Sequence, residues 1–484
     1  MAEQPSVLVS GQSLKTSPEP GFRDRRRGAR LFPVLVVAAA AAIVFVQLLV
    51  PPVVGVADNG DFPKMLGPYG LRNPTAYWQY IGLTYELDPA YFYDSGFYST
   101  ERLFIRIALA LNPSVSEDGS LDLRLIGLVH GAVFLAAVML FVPLLDRISL
   151  WMRLALSAAA LFMFGDVMYV SYMNSFYMDI AAYLSLLLAT VFYLRAIAWR
   201  RPVDAAFFVT SSLMLIASKP QYSVLGLWLA ALAWSARGAL GRGRNRVAGL
   251  VSAGLLLVTL AAFRFEAPAG YAANNCFNVV FSQILPASHN VDRTMADLGL
   301  DSSYRKWIHT NAYTPGSPMG DPVFSEAFSR KIDYWRIGRF YLTHPLDAWR
   351  AFHEGLSMAG RQREPLGNFD YSAGRPPLAE SRSFAAWSDL KRLLFHNHGS
   401  RLFFGFLLLA GYVAALLWRQ RRTLSPECIA GAAVLIGTAL TAMLVASFAD
   451  VMDHPRHHLV FFAEFDMLVL VAVWLSARQW MPRR

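Results

Sequence analysis

Long apolar segments alternate with short polar ones along most of the chain. Ten segments are apolar over roughly the 20 residues that a helix needs to cross about 30 Å of hydrocarbon. They lie near residues 31–50, 124–145, 150–171, 179–198, 203–218, 221–236, 247–264, 402–418, 427–448 and 458–477. The pattern predicts an all-α polytopic membrane protein with about ten transmembrane helices.

The fifth and sixth segments are shorter than the others. Only "SKPQY", residues 218–222, separates them. They are either two spans, one kinked pair, or an element that enters the membrane and returns, because irregular backbone is tolerated at membrane depth where protein surrounds it.

The distribution of arginine predicts the orientation of these helices. The chain is 55% hydrophobic and 16% charged, which is too apolar for a soluble multidomain protein, and its net charge is +10. Basic residues concentrate in alternate short loops and at the ends, in "RDRRRGAR", "DRISLWMR", "RAIAWRR", "ARGALGRGRNR", "RQRR" and "ARQWMPRR". The positive-inside rule makes these segments cytoplasmic, with both termini inside. The excess charge therefore reflects topology, and we expect membrane lipids but no nucleic acid as partners.

Polar stretches divide the chain into four regions. They are a disordered cytoplasmic leader (1–30), an N-terminal transmembrane module (31–264) with an outer loop (51–122), an extracytoplasmic helical loop domain (265–401), and C-terminal transmembrane helices with a basic tail (402–484). The first apolar segment and the polar leader before it are both longer than those of a signal peptide. A retained anchor is therefore favoured over a cleaved signal.

The first outer loop opens with two closely spaced carboxylates. Asp58 and Asp61 lie in "VGVADNGDFPKML", residues 54–66, directly after the first apolar segment. A carboxylate at the lipid boundary is partly desolvated, which raises its pKa towards that of a useful general base. The alternative is structural, because the Asn-Gly pair between them favours a tight turn, with Asp58 as an Asx-turn residue and Asp61 as a helix cap.

The end of the third apolar segment is rich in tyrosines and acids. It reads "FGDVMYVSYMNSFYMDIAAY", residues 164–183. Three-residue steps from Asp166 to Tyr169 and on to Tyr172 predict one helical face, and ionisable groups at the rim of a span usually face a bundle interior or a wet cavity. The candidates for substrate binding are Asn174, Tyr177 and Asp179. The structural alternative is a cap at the start of the next helix beside interfacial tyrosines.

Two later loops at the same membrane level carry cations. Lys219 and Gln221 lie in "ASKPQYS". Arg456 and His457 lie in "DVMDHPRHHLVFF". Cations at that depth suit a lipid phosphate, for which arginine offers a two-pronged contact and lysine a point charge, although Lys219 extending towards headgroups is the alternative. His454 and His457 are close in sequence but have no cysteine partner, so no metal site is predicted and a divalent cation stays open.

These four clusters share one membrane level, which predicts a cavity at the outer interface with carboxylates on one side and cations on the other. Such a layout suits the transfer of a group from a phosphate-bearing lipid. Four motifs resemble the GT-C class of polyprenyl-phosphate-dependent glycosyltransferases and, within it, the bacterial glycan biosynthesis hexose transferase family. They are "NGDFPKM" (59–65), "YMNSFYMD" (172–179), "SKPQYS" (218–223) and "DHPRHHLVF" (453–461). The resemblance covers most of the chain, from about 30 to 480.

The resemblance implies substrates and residue roles. It implies an enzyme on the outer face of a bacterial plasma membrane, with a polyprenyl-phosphate-linked sugar as donor and a glycan or lipid-linked acceptor. The catalytic base of the class is an acid of the first outer loop, which corresponds here to Asp61 or Asp58. The residues that bind the carrier phosphate correspond to Lys219 and Arg456. The acid after "NSFY" is Asp179, where the family pattern has glutamate, so the resemblance does not extend to a catalytic role for Asp179.

Two classes of function follow from these residues. The favoured class is an inverting glycosyltransferase. The alternative is a transporter or flippase for a lipid-linked or polar solute, in which the same residues line a path. A transporter predicts ionisable residues throughout the membrane depth, whereas here they collect at the outer ends, with Asp166 the deepest. A scaffold without chemistry would leave the four clusters unexplained.

Overall fold

A computed structural model of the protein describes residues 20–72, 78–88, 90–112, 120–238, 245–265, 267–268, 270–449 and 451–480. Most of the predicted leader, Asp450 and the last residues of the predicted basic tail lie outside the described residues.

The N-terminal part of the described chain consists of helices joined by one small sheet. In chain order its elements are α1 (Pro20–Leu48), α2 (Phe62–Leu66), β1 (Leu71–Arg72), β2 (Thr84–Leu87), α3 (Glu101–Leu111), β3 (Leu121–Asp122), α4 (Leu123–Phe141), α5 (Leu150–Phe164), α6 (Val167–Val170), α7 (Met178–Trp199), α8 (Pro202–Ile216), α9 (Pro220–Ser223), α10 (Gly226–Ser235) and α11 (Asn245–Phe265). The sheet is antiparallel in the order β1-β2-β3, with Leu71 opposite Leu87 and Thr84 opposite Asp122.

The C-terminal part is also helical. Its elements are α12 (Tyr271–Asn278), a π-helical turn (Val279–Ile284), α13 (Leu285–Ala287), α14 (Val291–Asp297), α15 (Pro322–Lys331), α16 (Tyr334–Thr343), α17 (Pro345–Ala359), α18 (Ala386–Phe395), α19 (Gly399–Gln420), α20 (Pro426–Phe448), α21 (His454–His457) and α22 (Leu459–Trp480). Short 3-10 turns lie at Gly67–Tyr69, Val142–Arg147, Ser171–Met173, Ala236–Gly238, Ser302–Trp307, Pro318–Gly320 and Tyr371–Ala373. The predicted all-α polytopic fold is confirmed.

Fewer helices meet the length and apolarity of a membrane span than the ten predicted. Within the described residues there are seven, or eight if α5 and the segment Val167–Met173, which bend by 51° at their junction, form one span. The seven are Leu31–Leu48, Leu123–Asp146, Met178–Trp199, Asn245–Phe265, Gly399–Gln420, Pro426–Phe448 and Leu459–Gln479.

If that bent pair counts as one span, the remaining difference from ten lies in the fifth and sixth apolar segments, which form α8 and α10. These helices have 15 and 10 residues, and at about 1.5 Å per residue neither covers about 30 Å of hydrocarbon. The chain turns between them through α9, where Pro220 has no N–H to continue a helix. The two segments are therefore a broken element, one of the arrangements that the sequence left open.

The helices that carry the candidate site are the most enclosed of the bundle. In the most apolar windows of α7 and α22, 72% and 67% of residues are buried, against 28% for α1. α7 packs against α4, α8, α20 and α22. Helices that are apolar all round are typical of such enclosed positions. The N-termini of α7 and α22 and the C-termini of α1 and α8 lie on the same side of the bundle. We call this side the loop end.

Two hydrophobic cores support the loop end. The larger fills the bundle and includes Phe352 and Leu356 of α17. The smaller is built on aromatic residues of α12 to α16, among them Phe277, Phe281 and Phe328. Region 265–401 thus contains helices, as predicted, and α17 packs both with its own region and with the bundle.

Candidate functional site

The segment after α1 is held in an extended course into the loop end. The Asn174 side-chain amide donates to the backbone oxygens of Leu48 and Val54, at 3.0 and 2.8 Å. Gly55 N donates to Asn368 O at 3.0 Å, and a Cβ on Gly55 would lie 2.7 Å from Asn174 O. Only glycine allows this close approach. Asn174, predicted to bind substrate, therefore positions the first loop.

Asp58 is the turn residue that the structural alternative predicted. One oxygen, Oδ1, accepts hydrogen bonds from Gly60 N at 2.7 Å and Phe62 N at 3.0 Å. Gly60 has φ of +102°, which favours glycine. The carboxylate thus fixes the turn into α2 and sets the direction of Asp61.

Asp61 lies between two cations. Its side chain forms an ion pair with Lys64, one turn further along α2. Arg456 Nη1 donates to Asp61 Oδ2 at 2.6 Å. Burial by itself would raise the pKa of Asp61, but the charges and hydrogen bonds of Lys64 and Arg456 outweigh it and hold the pKa well below its usual range. The predicted raised pKa is wrong for this arrangement, because the sequence did not reveal that both cations contact this carboxylate.

Arg456 is the centre of the cluster. Its guanidinium donates from Nη2 to Asp453 Oδ2 at 2.7 Å and lies 3.7 Å from Asp179 Oδ2. The guanidinium carbon is 4.5 Å from the centre of the Tyr177 ring, in a cation–π position. With its side chain only 3% exposed, Arg456 joins the loop before α22 to both α2 and α7.

Asp179 begins α7 and pairs with the broken element. Lys219 Nζ lies 3.1 Å from Asp179 Oδ1, and the Tyr222 hydroxyl donates to the same oxygen at 2.9 Å. Gln221 Nε2 donates to His457 O at 3.1 Å. The turn at Pro220 thus places Lys219 next to Asp179, and the hydrogen bond of Gln221 joins α9 to α21.

The predicted site residues are brought together, but in a different layout from the one expected. The Tyr177 hydroxyl donates to Ala57 O at 2.7 Å and accepts from Asn59 N at 3.0 Å, so this residue supports the loop as well as Arg456. His457 is buried, and its carbonyl accepts from Gln221. Carboxylates and cations alternate in direct contact instead of lining opposite walls, because each buried charge is stabilised by an adjacent opposite charge.

Glu364 is a site residue that the sequence did not suggest. It is 7% exposed, and its Oε1 accepts a hydrogen bond from Arg456 N at 2.8 Å. Burial, followed by the negative charge of Asp453, raises its pKa to about 8. Glu364 lies in a long loop without periodicity, so no pattern linked it to Arg456. Lys64 was closer to detection, since it belongs to the quoted "NGDFPKM" motif and lies three residues after Asp61.

A second buried ion pair lies beside α6, in the third predicted apolar segment. Lys391 of α18 lies 2.9 Å from Asp466 Oδ2 of α22, and the Tyr169 hydroxyl donates to the same oxygen at 2.7 Å. Asp166 caps α6 by accepting from Met168 N at 2.9 Å, while its other oxygen accepts from Ser388 N at 2.9 Å. The predicted common face of Asp166 with the tyrosines is wrong, because the helix breaks between α5 and α6 and Asp166 is extended.

Ionisable residues also lie within the spans, contrary to the expectation that Asp166 would be the deepest. Glu464 and Asp466 belong to α22, and His130 of α4 lies 3.3 Å from Glu101 of α3. The Glu464 carboxyl is buried and has the Thr438 side chain beside it. It lines a mostly apolar cavity of about 710 Å³ together with side chains of α4, α5, α7 and α20.

In the described part of the chain, no group of three or more His, Cys, Asp or Glu side chains is placed to hold a metal ion. His454 and His458, four residues apart with ring centres 5.9 Å from each other, are the nearest approach to a ligand pair in the histidine-rich loop.

Comparison with known proteins gives one match. A family model described as the YfdI N-terminal transmembrane domain matches residues 23–483. No curated protein and no solved structure matches the chain. With its apolar helices, the match makes the chain a multi-pass membrane protein. The family description names a transmembrane domain and no reaction, so the resemblance to hexose transferases stays a prediction.

Proposed function

The chain belongs to the family of the YfdI N-terminal transmembrane domain, and from this premise and the charged cluster we propose that it is a membrane glycosyltransferase. It transfers a sugar, with inversion, from a polyprenyl-phosphate donor to an envelope glycan or lipid-linked acceptor. The arginine-rich loops put both termini in the cytoplasm and the reaction on the outer face of the cell membrane.

One observation carries this proposal. Lys64, Lys219 and Arg456 come from three distant parts of the chain and meet at the loop end of a membrane bundle, each against a carboxylate. Cations gathered at the boundary of the hydrocarbon suit a ligand with a phosphate and a lipid chain. A polyprenyl phosphate has both parts.

Donor binding accounts for how Asp61 becomes a base. In the resting arrangement Lys64 and Arg456 hold its pKa too low for it to accept a proton readily. A donor phosphate competes with Asp61 for the same N–H groups, and the displaced carboxylate, still partly buried, gains basicity. Asp61 then takes the proton of the acceptor hydroxyl while Arg456 and Lys219 stabilise the charge that develops on the leaving phosphate.

Asp61→Asn tests this role. The change keeps the size of the side chain but removes the base, so transfer should be abolished while membrane insertion and folding persist. The measurement is the sugar composition of envelope glycans from a deletion strain that expresses either form at matched abundance. Asp88→Asn, a partly exposed acid in the same outer loop that pairs with Arg72, is the control and should restore the sugar as the wild type does. Restoration by Asp61→Asn would rule out its assignment as the base.

One feature favours a second candidate function. The buried carboxyl of Glu464 in a large intramembrane cavity is the kind of group that lines a translocation path. A transporter or flippase would show saturable flux of a polar or lipid-linked solute into proteoliposomes, and Glu464→Gln would reduce that flux. A glycosyltransferase would show no such flux.

A further inference from the structure

We propose that Glu364 is a second catalytic residue, which supplies a proton to the leaving phosphate. This inference rests on the proposed glycosyl transfer and assigns to the extracytoplasmic loop a chemical part in it.

One carboxyl oxygen of Glu364 accepts a hydrogen bond, and the other can contact a ligand. Oε1 accepts from Arg456 N at 2.8 Å. Arg456 is its only hydrogen-bond donor among the residues that the structure describes, so Oε2 can carry a proton and present it to a ligand. The same Arg456 holds Asp61 through its guanidinium. A phosphate that engages this guanidinium therefore arrives between two carboxyl groups.

Charged and titratable residues from several elements surround Glu364 in the described structure. Asp453 and Arg456 face it from α21 and its preceding turn, and Arg361 faces it from its own segment. Tyr172 faces it from the 3-10 turn before α7. One acid and two cations thus lie around a carboxyl group that burial keeps away from water.

The two carboxyl groups on Arg456 are in opposite states. The pKa of Asp61 is well below its usual range, so it is ionised at neutral pH. The pKa of Glu364 is raised to about 8 by burial and then by Asp453, so it is mostly protonated. Two carboxyl groups whose environments separate their pKa values are the arrangement by which enzymes divide the roles of base and acid.

Asp61 and Glu364 together account for both proton transfers that accompany the transfer of the sugar. Asp61 takes the proton of the acceptor hydroxyl, whose oxygen bonds to the anomeric carbon of the sugar. The bond from that carbon to the phosphate oxygen breaks, and its electron pair goes to the phosphate. That oxygen takes the proton of Glu364, which leaves a singly charged lipid phosphate beside Asp179 and Asp453. Asp61 then loses its proton to water, and Glu364 regains one from water.

The test is the pH dependence of sugar transfer by the full-length protein in vesicles, with a labelled polyprenyl-phosphate sugar as donor. The wild-type rate should fall as pH rises through about 8, because the acid form of Glu364 is lost. Glu364→Gln should lower the rate about 100-fold and remove this alkaline decline. Glu364→Asp retains a carboxyl group and should keep the decline at a lower rate. Glu326→Gln, an exposed glutamate of α15, is the control.

A second donor separates catalysis from folding. An analogue in which a CF2 group replaces the oxygen between phosphorus and the polyprenyl chain keeps the bond that breaks. Its leaving group is more acidic and needs less help from an acid. The loss caused by Glu364→Gln should therefore be several-fold smaller with this analogue. Equal losses with both donors, or an alkaline decline that survives in the glutamine variant, would overturn the inference. Absence of transfer by the wild type would overturn the proposed function itself.

Discussion

At the scale of single residues, the site depends on contacts between parts of the chain that are far apart in sequence. Asp61 and Arg456 are separated by 395 positions and meet at 2.6 Å. The sequence identified both, because acids and cations at span ends are unusual enough to be noticed singly. It could not predict the sign of the pKa shift at Asp61, which depends on which partner touches it. Glu364 was missed because neither its position nor its neighbours form a periodic pattern.

Arg456→Lys tests the importance of the forked guanidinium. A lysine supplies the charge, but all its N–H groups are on one nitrogen. It lacks the planar fork in which Nη1 contacts Asp61 and Nη2 contacts Asp453. Loss of a charged hydrogen bond costs about 1.5–3 kcal/mol, which corresponds to a rise of roughly 10- to 100-fold in the KM for the donor lipid. Steady-state transfer rates at varied donor concentration measure it. Arg339→Lys, on the exposed face of α16, should leave KM unchanged. An unchanged KM in Arg456→Lys would contradict phosphate binding by Arg456.

Two buried histidines predict how stability varies with pH. Burial lowers the pKa of His454 to about 3, with a further contribution from His458, and burial lowers that of His458 to about 4. Below about pH 6.5 the unfolded chain protonates both residues while the fold does not. The two histidines therefore contribute a loss of stability from pH 6.5 towards pH 4, whereas Glu364, whose pKa is raised to about 8, contributes a gain as pH falls towards 4.5. Thermal unfolding in detergent measures the net change.

The histidine prediction has a direct control. His458→Asn removes the contribution of one histidine, so between pH 6.5 and pH 4 the variant should lose less stability than the wild type does. His289→Asn, an exposed position, should leave the profile of the wild type. Equal changes in stability for the wild type and His458→Asn between pH 6.5 and pH 4 would show that the fold does not keep His458 neutral.

At the scale of elements, helix breaks place the functional groups. The sequence predicted the existence of nearly every long helix, because apolar runs are strong signals. It did not predict the break at Gly165 to Asp166, where capping and tertiary contacts override a continuous apolar pattern. It left open a break near Lys219 and Pro220. At the first break Asp166 caps α6 and also holds the start of α18 through Ser388. At the second, Lys219 turns towards Asp179.

The Lys391–Asp466 pair joins α18 to α22 and can be tested by a pair of substitutions. Lys391→Met leaves a buried carboxylate without its cation and should cost about 3–5 kcal/mol of unfolding free energy. Lys391→Met combined with Asp466→Leu removes both charges and should recover most of that loss. Arg330→Met, which breaks an exposed pair on α15, should cost no more than about 1 kcal/mol. A double variant no more stable than Lys391→Met would argue against a direct charge pair.

At the scale of the whole molecule, helices of the region 265–401 pack directly against the transmembrane bundle. α17 contributes to the core of the bundle, and Lys391 of α18 is paired with a residue inside α22. The division of the chain at residues 265 and 401 followed changes in hydropathy, which mark where the chain leaves the membrane. Such changes carry no information on which segments pack together afterwards. For that reason the sequence could assign helices to this region but could not attach it to the bundle.

The position of Arg456 near the end of the chain has a consequence for biosynthesis. Asp61, Asp179 and Lys219 leave the ribosome and enter the membrane long before residue 456 is made. Until α21 and α22 follow, Asp61 has only Lys64 beside it, and Asp179 has Lys219 and Tyr222. The charged cluster is thus complete only after α21 and α22 have been made, and a chain that stops before α21 yields a membrane-embedded protein that lacks the central cation of the cluster.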